Sequence, residues 1–375
     1  MKIGTLTYWN TEENYGQVMQ SFALVKYLSN LGYDASLIRY IKRPERESSL
    51  HKFFRWLKIV SPKRIKAAME YRKFHKIMAA NQKQHPRYFD LFRDEYLPMT
   101  PQIYDQQSIF SDTPQFDAYI CGSDQIWGEA DAVFMLQFAP KDALRLSYAA
   151  SMGGAQLKGD EKAKFSDYLS TFNFVSLREQ EAVDFCKQLG RNDAVLVPDP
   201  TLLLDREEYT ALYRESNPSN PSKHSKGYIL LYLLGNKIGV DVDEIYAYAE
   251  QRNLEVIYVA SQGRTDSHEK NFPTIQEWLS LIDNATCVFT NSFHGTVFCL
   301  LFNTPFLTLP VTGVFSRMNL RIQGLLKHYS MEGRILHHDL TEADSPCDFS
   351  MFNRQRVEDE LYVKQLLRRA LHSDM

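Results

Sequence analysis

No uninterrupted apolar run approaches the roughly 18 residues that a membrane-spanning helix needs, so this chain of 375 residues, 44% hydrophobic, places its apolar content in globular cores. At this length two domains are expected. Excess charge of one sign is lacking too. The 43 Lys and Arg against 46 Asp and Glu leave a net charge of −3, which removes the electrostatic pull that non-specific nucleic-acid binding requires. Cysteines are few: Cys121, Cys186, Cys287, Cys299 and Cys347 are odd in number, widely spaced and mostly set in apolar runs. That is the pattern of reduced core thiols, not of a disulfide framework or a metal knuckle. The opening Met1-Lys-Ile-Gly-Thr-Leu-Thr reads as a strand without a charged-then-apolar leader, so a cytoplasmic protein is expected.

Two glycine fingerprints are also missing. Neither G-x-G-x-x-G nor G-x-x-x-x-G-K-[ST] occurs, which leaves ordinary NAD and ATP chemistry unsupported. Asp241-Val-Asp243 has the D-x-D form of some glycosyltransferase metal motifs, yet it opens a predicted helix where acidic residues suit the macrodipole. No metal and no resident cofactor are expected.

What is present is alternation. Short β-rich runs (Ile3–Tyr8, Asp34–Arg39, Phe116–Cys121, Leu146–Ala150, Phe174–Ser176, Ala194–Val197) alternate with helical patterns such as Gln17–Leu31, the signature of a parallel sheet covered on both faces. A polar stretch, Glu215–Lys226, interrupts the rhythm as a linker or long loop. It restarts with strands at Tyr228–Leu234, Leu254–Val259, Thr286–Thr290 and Phe306–Leu309, and helices at Asp241–Gln251 and Thr274–Ile282. The latter begins with a Thr274-x-x-Glu277 capping box. The expectation is an α/β protein of two doubly wound, Rossmann-like domains facing a cleft. The domains would be 1–212, with a basic helical insertion at about 42–113, a linker at 213–227, and 228–340. A tail at 341–375 carries helical spacing at Val357, Leu361, Val363, Leu366, Leu367 and Leu371 and would pack back onto the first domain. Within the insertion, Lys42–Arg93 holds fifteen Lys or Arg and a handful of acids. Its Phe53, Phe54 and Trp56 lie among cations, as in interfacial helices; the segment either packs on its own domain or meets an anionic membrane surface.

Chemistry is expected where strands end. In Thr290-Asn-Ser-Phe-His-Gly-Thr-Val-Phe298, a strand gives way to a helix start near His294. Free N–H groups there suit phosphate or carboxylate, Gly295 would allow close approach, and the Ser292 and Thr296 hydroxyls would add donors. His294 either faces the cleft or satisfies a carbonyl. Arg178, at another strand end, offers a guanidinium fork for an anion, or else pairs with Glu179 or Glu181. Gly122, Ser123, Asp124 and Gln125 follow a third strand and can grip sugar hydroxyls, although Asp124 equally suits a helix cap. Asn14 and Gly16 end the first β–α loop, and Ser151 lies in a flexible turn ending at Gly154.

Taken in order, Ile3–Gln20 (I-G-T-L-T-Y and N-Y-G-Q-V-M-Q), F-D-A-Y-I-C-G-S-D-Q-I-W (Phe116–Trp127), S-Y-A-A-S-M-G (Ser147–Gly153), V-S-L-R-E (Val175–Glu179), D-P-T-L-L-L (Asp199–Leu204) and T-N-S-F-H-G (Thr290–Gly295) resemble the polysaccharide pyruvyl transferase family over roughly residues 1–330. The resemblance implies a fold like the B-type glycosyltransferases. It also implies transfer of a pyruvyl group from phosphoenolpyruvate, as co-substrate, onto two hydroxyls of a sugar, oligosaccharide or lipid-linked glycan, with no nucleic acid involved. Better-studied relatives carry Arg-Leu-His where this chain has Ser292-Phe293-His294; the histidine is kept and the arginine is not. On this reading His294 is a general acid and Arg178 clamps the donor. Ser292, Gly295, Thr296, Arg317 and Arg321 surround its phosphate, and Asn14, Gly16, Ser123, Asp124, Gln125 and Ser151 face the acceptor. A glycosyltransferase using a nucleotide sugar and a non-catalytic glycan-binding protein are the competing expectations.

Overall fold

The structure, a computed structural model, describes residues 1–43, 69, 76, 77, 79–215, 226–235, 238–261, 264 and 266–372. Strands β1 (Lys2–Leu6), β2 (Asp34–Tyr40), β3 (Met99–Tyr104), β4 (Ala118–Cys121), β5 (Leu144–Ala150), β6 (Phe174–Leu177) and β7 (Val195–Leu196) form one sheet in the order β3-β2-β1-β4-β5-β6-β7. Its first six strands follow the 3-2-1-4-5-6 order of a doubly wound sheet. Strands β8 (Tyr228–Tyr232), β9 (Glu255–Val259), β10 (Cys287–Thr290) and β11 (Phe306–Thr308) form a second sheet, β11-β10-β8-β9. All pairings between these strands are parallel. The carboxyl ends of each sheet therefore lie on one side, and that is where every candidate residue sits.

Six helices matter for the site and its frame: α1 (Tyr15–Asn30), α2 (Gln180–Gln188), α3 (Ile275–Asp283), α4 (Phe293–Phe302), α5 (Asn319–His328) and α6 (Ser350–His372). All ten residues of α4 are buried, which explains an apolar run with no polar face. The capping box of α3 is formed on both sides, Thr274 accepting from the Glu277 N–H and the Glu277 carboxylate from that of Thr274. Asp241 caps its helix by accepting from the Asp243 N–H. All five cysteines are free. Burial pushes the thiols of Cys186 and Cys287 up to about 12, well away from nucleophilic use.

Three expectations need correction. The segment taken as a helical insertion contains β3, paired with β2 at the sheet edge. Pro101 is tolerated there because an edge strand has one side without a partner. Two of its cations are interior. Arg87 is 1% exposed and donates to the Ala260 carbonyl, and Arg93 donates to the Thr11 carbonyl and the Glu12 carboxylate. Phe53, Phe54 and Trp56 lie outside the described residues, as do 216–225 of the expected linker. In α6, Phe352, Val363, Leu367 and Leu371 are buried, but Val357 and Leu361 are about half exposed. Polar contacts hold that part of the helix instead: Tyr27 donates to Glu360, and Asp359 takes His328 Nε2 at 2.8 Å and the Tyr329 hydroxyl at 2.9 Å. Among the described residues, no helix is long and apolar enough to cross a membrane.

Candidate functional site

Both sheets meet across the start of α1. Tyr15, buried, donates to the Pro273 carbonyl at 2.6 Å and stacks on Trp278 with ring centroids 4.9 Å apart. One residue on, Gly16 lies against the His294 ring, and a Cβ there would come within 2.2 Å of Nδ1. Only glycine lets the second sheet present its histidine this close to α1.

A buried ionic cluster lies next to that contact. Asp199, at the end of β7, is 1% exposed. Its Oδ2 accepts from Arg178 Nη1 at 2.6 Å and from the Ser123 hydroxyl at 2.8 Å, and it lies 3.6 Å from His294 Nε2. Its Oδ1 accepts from the Thr201 N–H and hydroxyl. Burial alone would raise the Asp199 carboxyl. The charges of His294 and Arg178 and the bonds it accepts outweigh this and hold it far below the usual carboxylate range. Burial likewise opposes the charge on Arg178, but Asp199 and Glu179 more than restore it. Asp199 thus ties together two residues from different sheets.

Phe293 stands between two guanidinium groups, with Arg178 Cζ 4.6 Å and Arg321 Cζ 5.8 Å from the ring centroid. Burial and the adjacent Arg178 push the Arg321 guanidinium down to about 10, so it remains charged at neutral pH. Arg178 Nε and Nη2 and Arg321 Nε are buried with no hydrogen-bond partner, as is His294 Nε2. Charged donors left unmade inside a protein are costly. Here three of them sit beside one histidine, an arrangement suited to a small polyanion.

The helix start differs from expectation in its details. The Ser292 hydroxyl caps α4 by accepting from the Gly295 N–H, and the Thr296 hydroxyl donates to the Ser292 carbonyl. Thr296 therefore offers no free proton to a ligand. Gly295 serves packing: a Cβ would come within 2.7 Å of Thr290 Oγ1. The N–H groups at the very start of α4, on Phe293 and His294, are those that helix geometry leaves without an intrahelical acceptor. Arg317 is exposed and donates to the Gly154 carbonyl at 3.3 Å, at the rim.

Of the residues expected to face an acceptor, Ser123 is buried inside the cluster. Asn14 caps α1 through the Gln17 N–H, and Asp124 accepts from Gln17 Nε2 and from the Gln125 N–H. Gln125 packs against Gly153, and the Ser151 hydroxyl donates to Glu179. Asp199 and Phe293 carry no role in the sequence reading, and Glu179 enters it only as an ion-pair partner of Arg178, whose Nε lies 3.7 Å from Glu179 Oε1. The one available signal was Asp199-Pro200, an acid at a strand end held by the proline that stops the strand.

Two doubly wound sheets with their carboxyl ends converging on one ionic cluster define the class of two-domain Rossmann-like, B-type-glycosyltransferase-like α/β proteins. A family model described as polysaccharide pyruvyl transferase matches residues 14–312, and the chain belongs to that family. Among solved structures it is similar to UDP-GlcNAc 2-epimerase from Neisseria meningitidis bound to UDP-GlcNAc, at 9% identity over 98% of this chain and 100% of the other, with a TM-score of 0.43. It is also similar to the Anabaena protein HepE in complex with UDP, at 9% identity over 100% of both chains, with a TM-score of 0.45. No curated protein matches the sequence.

Proposed function

We propose that the protein transfers the pyruvyl group of phosphoenolpyruvate to two hydroxyls of a sugar in a surface polysaccharide or its precursor, forming a cyclic ketal and releasing phosphate. The observation that carries this reading is the pair of guanidinium groups with unused buried donors beside His294. Phosphoenolpyruvate brings a carboxylate and a phosphate on one three-carbon frame. Arg178 and Arg321 answer the two charges, and the α4 start adds N–H donors. Donor addition needs a proton delivered to the methylene carbon, and an imidazolium is suited to that because imidazole as a class titrates near neutrality. His294 is the residue in place. Asp199 holds Arg178 and faces His294, which positions both for one substrate.

Thermal unfolding with phosphoenolpyruvate, and in parallel with a panel of nucleotide sugars, tests the donor. A ligand bound only by the folded state at 100 times its Kd stabilises by about 2.7 kcal/mol. Phosphoenolpyruvate should stabilise the wild type and fail to stabilise Arg321→Ala, which leaves the Arg178–Asp199 ion pair in place. His294→Gln should keep donor binding and cut turnover by about 10²–10⁴. Stabilisation by a nucleotide sugar alone would overturn the proposal.

A further inference from the structure

Glu179 occupies the N-cap position of α2 but makes no capping bond. Its side chain turns instead toward the cluster. Oε1 accepts from the Ser151 hydroxyl and lies 3.7 Å from Arg178 Nε, while Oε2 is buried with no partner. A carboxylate oxygen without a bond is expensive to bury, and neither the capping of α2 nor the Asp199 cluster accounts for it. It lines a cavity of about 420 Å³ whose walls include Met152, Leu157, Phe185 and Leu320 together with Arg317 and Arg321. That volume falls within the range of small-molecule sites. The cavity runs from the rim, where Arg317 meets Gly154, to the guanidinium that borders Phe293.

We infer that Glu179 is the general base that takes the proton from the attacking acceptor hydroxyl, and that this cavity is the acceptor's way in; the inference rests on the donor reading above. The bookkeeping closes. The first hydroxyl oxygen bonds to the enol carbon of phosphoenolpyruvate, its proton passes to Glu179, and His294 gives a proton to the methylene, which becomes methyl. The C–O bond to phosphate then breaks, and phosphate leaves with the proton from Glu179. The second hydroxyl closes the ring on the same carbon and returns its proton to His294. Both groups end as they began, and the two hydroxyl protons are found on the methyl group and the phosphate. Base and acid thus reach Arg178 by different atoms: Glu179 lies 3.7 Å from its Nε, and Asp199, which accepts from its Nη1, lies 3.6 Å from His294 Nε2.

The test measures phosphate release from phosphoenolpyruvate with methyl galactoside, methyl glucoside and methyl mannoside as diol probes and with water alone as nucleophile. Glu179→Gln, which keeps the shape and the Ser151 contact, should hold the KM for phosphoenolpyruvate within about threefold while kcat falls about 10²–10⁴-fold. It should also lose the rise of kcat with pH that a carboxylate base imposes. Formate should restore part of the rate to Glu179→Ala. A Glu179→Gln variant within a few-fold of wild-type kcat overturns the inference, as does a loss with an unchanged pH profile and no formate rescue. Wild-type protein that neither binds nor consumes phosphoenolpyruvate overturns the donor reading itself, and the inference with it, a failure visible without any variant.

Discussion

Replacing Gly16 by alanine adds a single methyl group at the contact between α1 and His294. That Cβ would lie 2.2 Å from Nδ1 and 2.3 Å from Cγ of the ring. Since carbon and nitrogen pack at about 3.5 Å, roughly 1 Å of separation has to be found. Alanine in a helix gains up to about 1 kcal/mol over glycine, and overpacking costs about 1–3 kcal/mol. The expected net change in stability is therefore small, from about zero to about 2 kcal/mol of destabilisation, measured by denaturant unfolding. Function should suffer far more, because α1 is held by Tyr15 and the ring is the part that can yield. A 1 Å misplacement of a reacting group can cost about 10² in rate. Phosphate release should therefore drop on the order of 100-fold while donor binding, through the two arginines, is largely kept. A Gly16→Ala protein that folds and turns over at the wild-type rate would refute the claim that this contact positions His294.

Two further perturbations probe other parts of the molecule. Asp199→Asn leaves the buried Arg178 guanidinium without its closest carboxylate, with Glu179 and Asp124 left to balance it, and breaking such a cluster should destabilise by about 3–5 kcal/mol, read from the shift in the denaturant midpoint. His328, raised above its ordinary value of 6.5 chiefly by its bond to Asp359, should anchor α6 fully below pH 6.5. As pH rises through the elevated folded value the anchor is lost. The pair is partly exposed, so the effect should stay under about 1 kcal/mol, and His328→Gln should abolish that pH dependence of stability; an unchanged profile in the variant would count against the pair.

Where signals are local, the chain is readable. The Thr274–Glu277 box, the Asp241 cap and the parallel strands that carry the site each depend on residues a few positions apart, and the structure forms them with shifted ends. β3 was hidden because Pro101 and its polar neighbours look unlike a strand, and pairing with β2 decides the matter. Arg87 and Arg93 read as part of a solvated basic segment, yet carbonyls distant in sequence, at Ala260 and Thr11, take them inside. The roles of Asp199 and Glu179 were illegible for the same reason. Each is defined by a partner on another strand end, and no spacing within one segment encodes that.

Tyr15 and Arg87 hold the two sheets together on one side of the His294 contact, through the carbonyls of Pro273 and Ala260. On the opposite rim the halves meet through Arg317 and the Gly154 carbonyl, at the surface. A joint fixed on one side and light on the other behaves as a lever. A motion that spared the Tyr15 contact would leave Gly16 against His294 and would part the lighter Arg317 contact first. A ligand entering past Arg317 would then disturb the placement of His294 least.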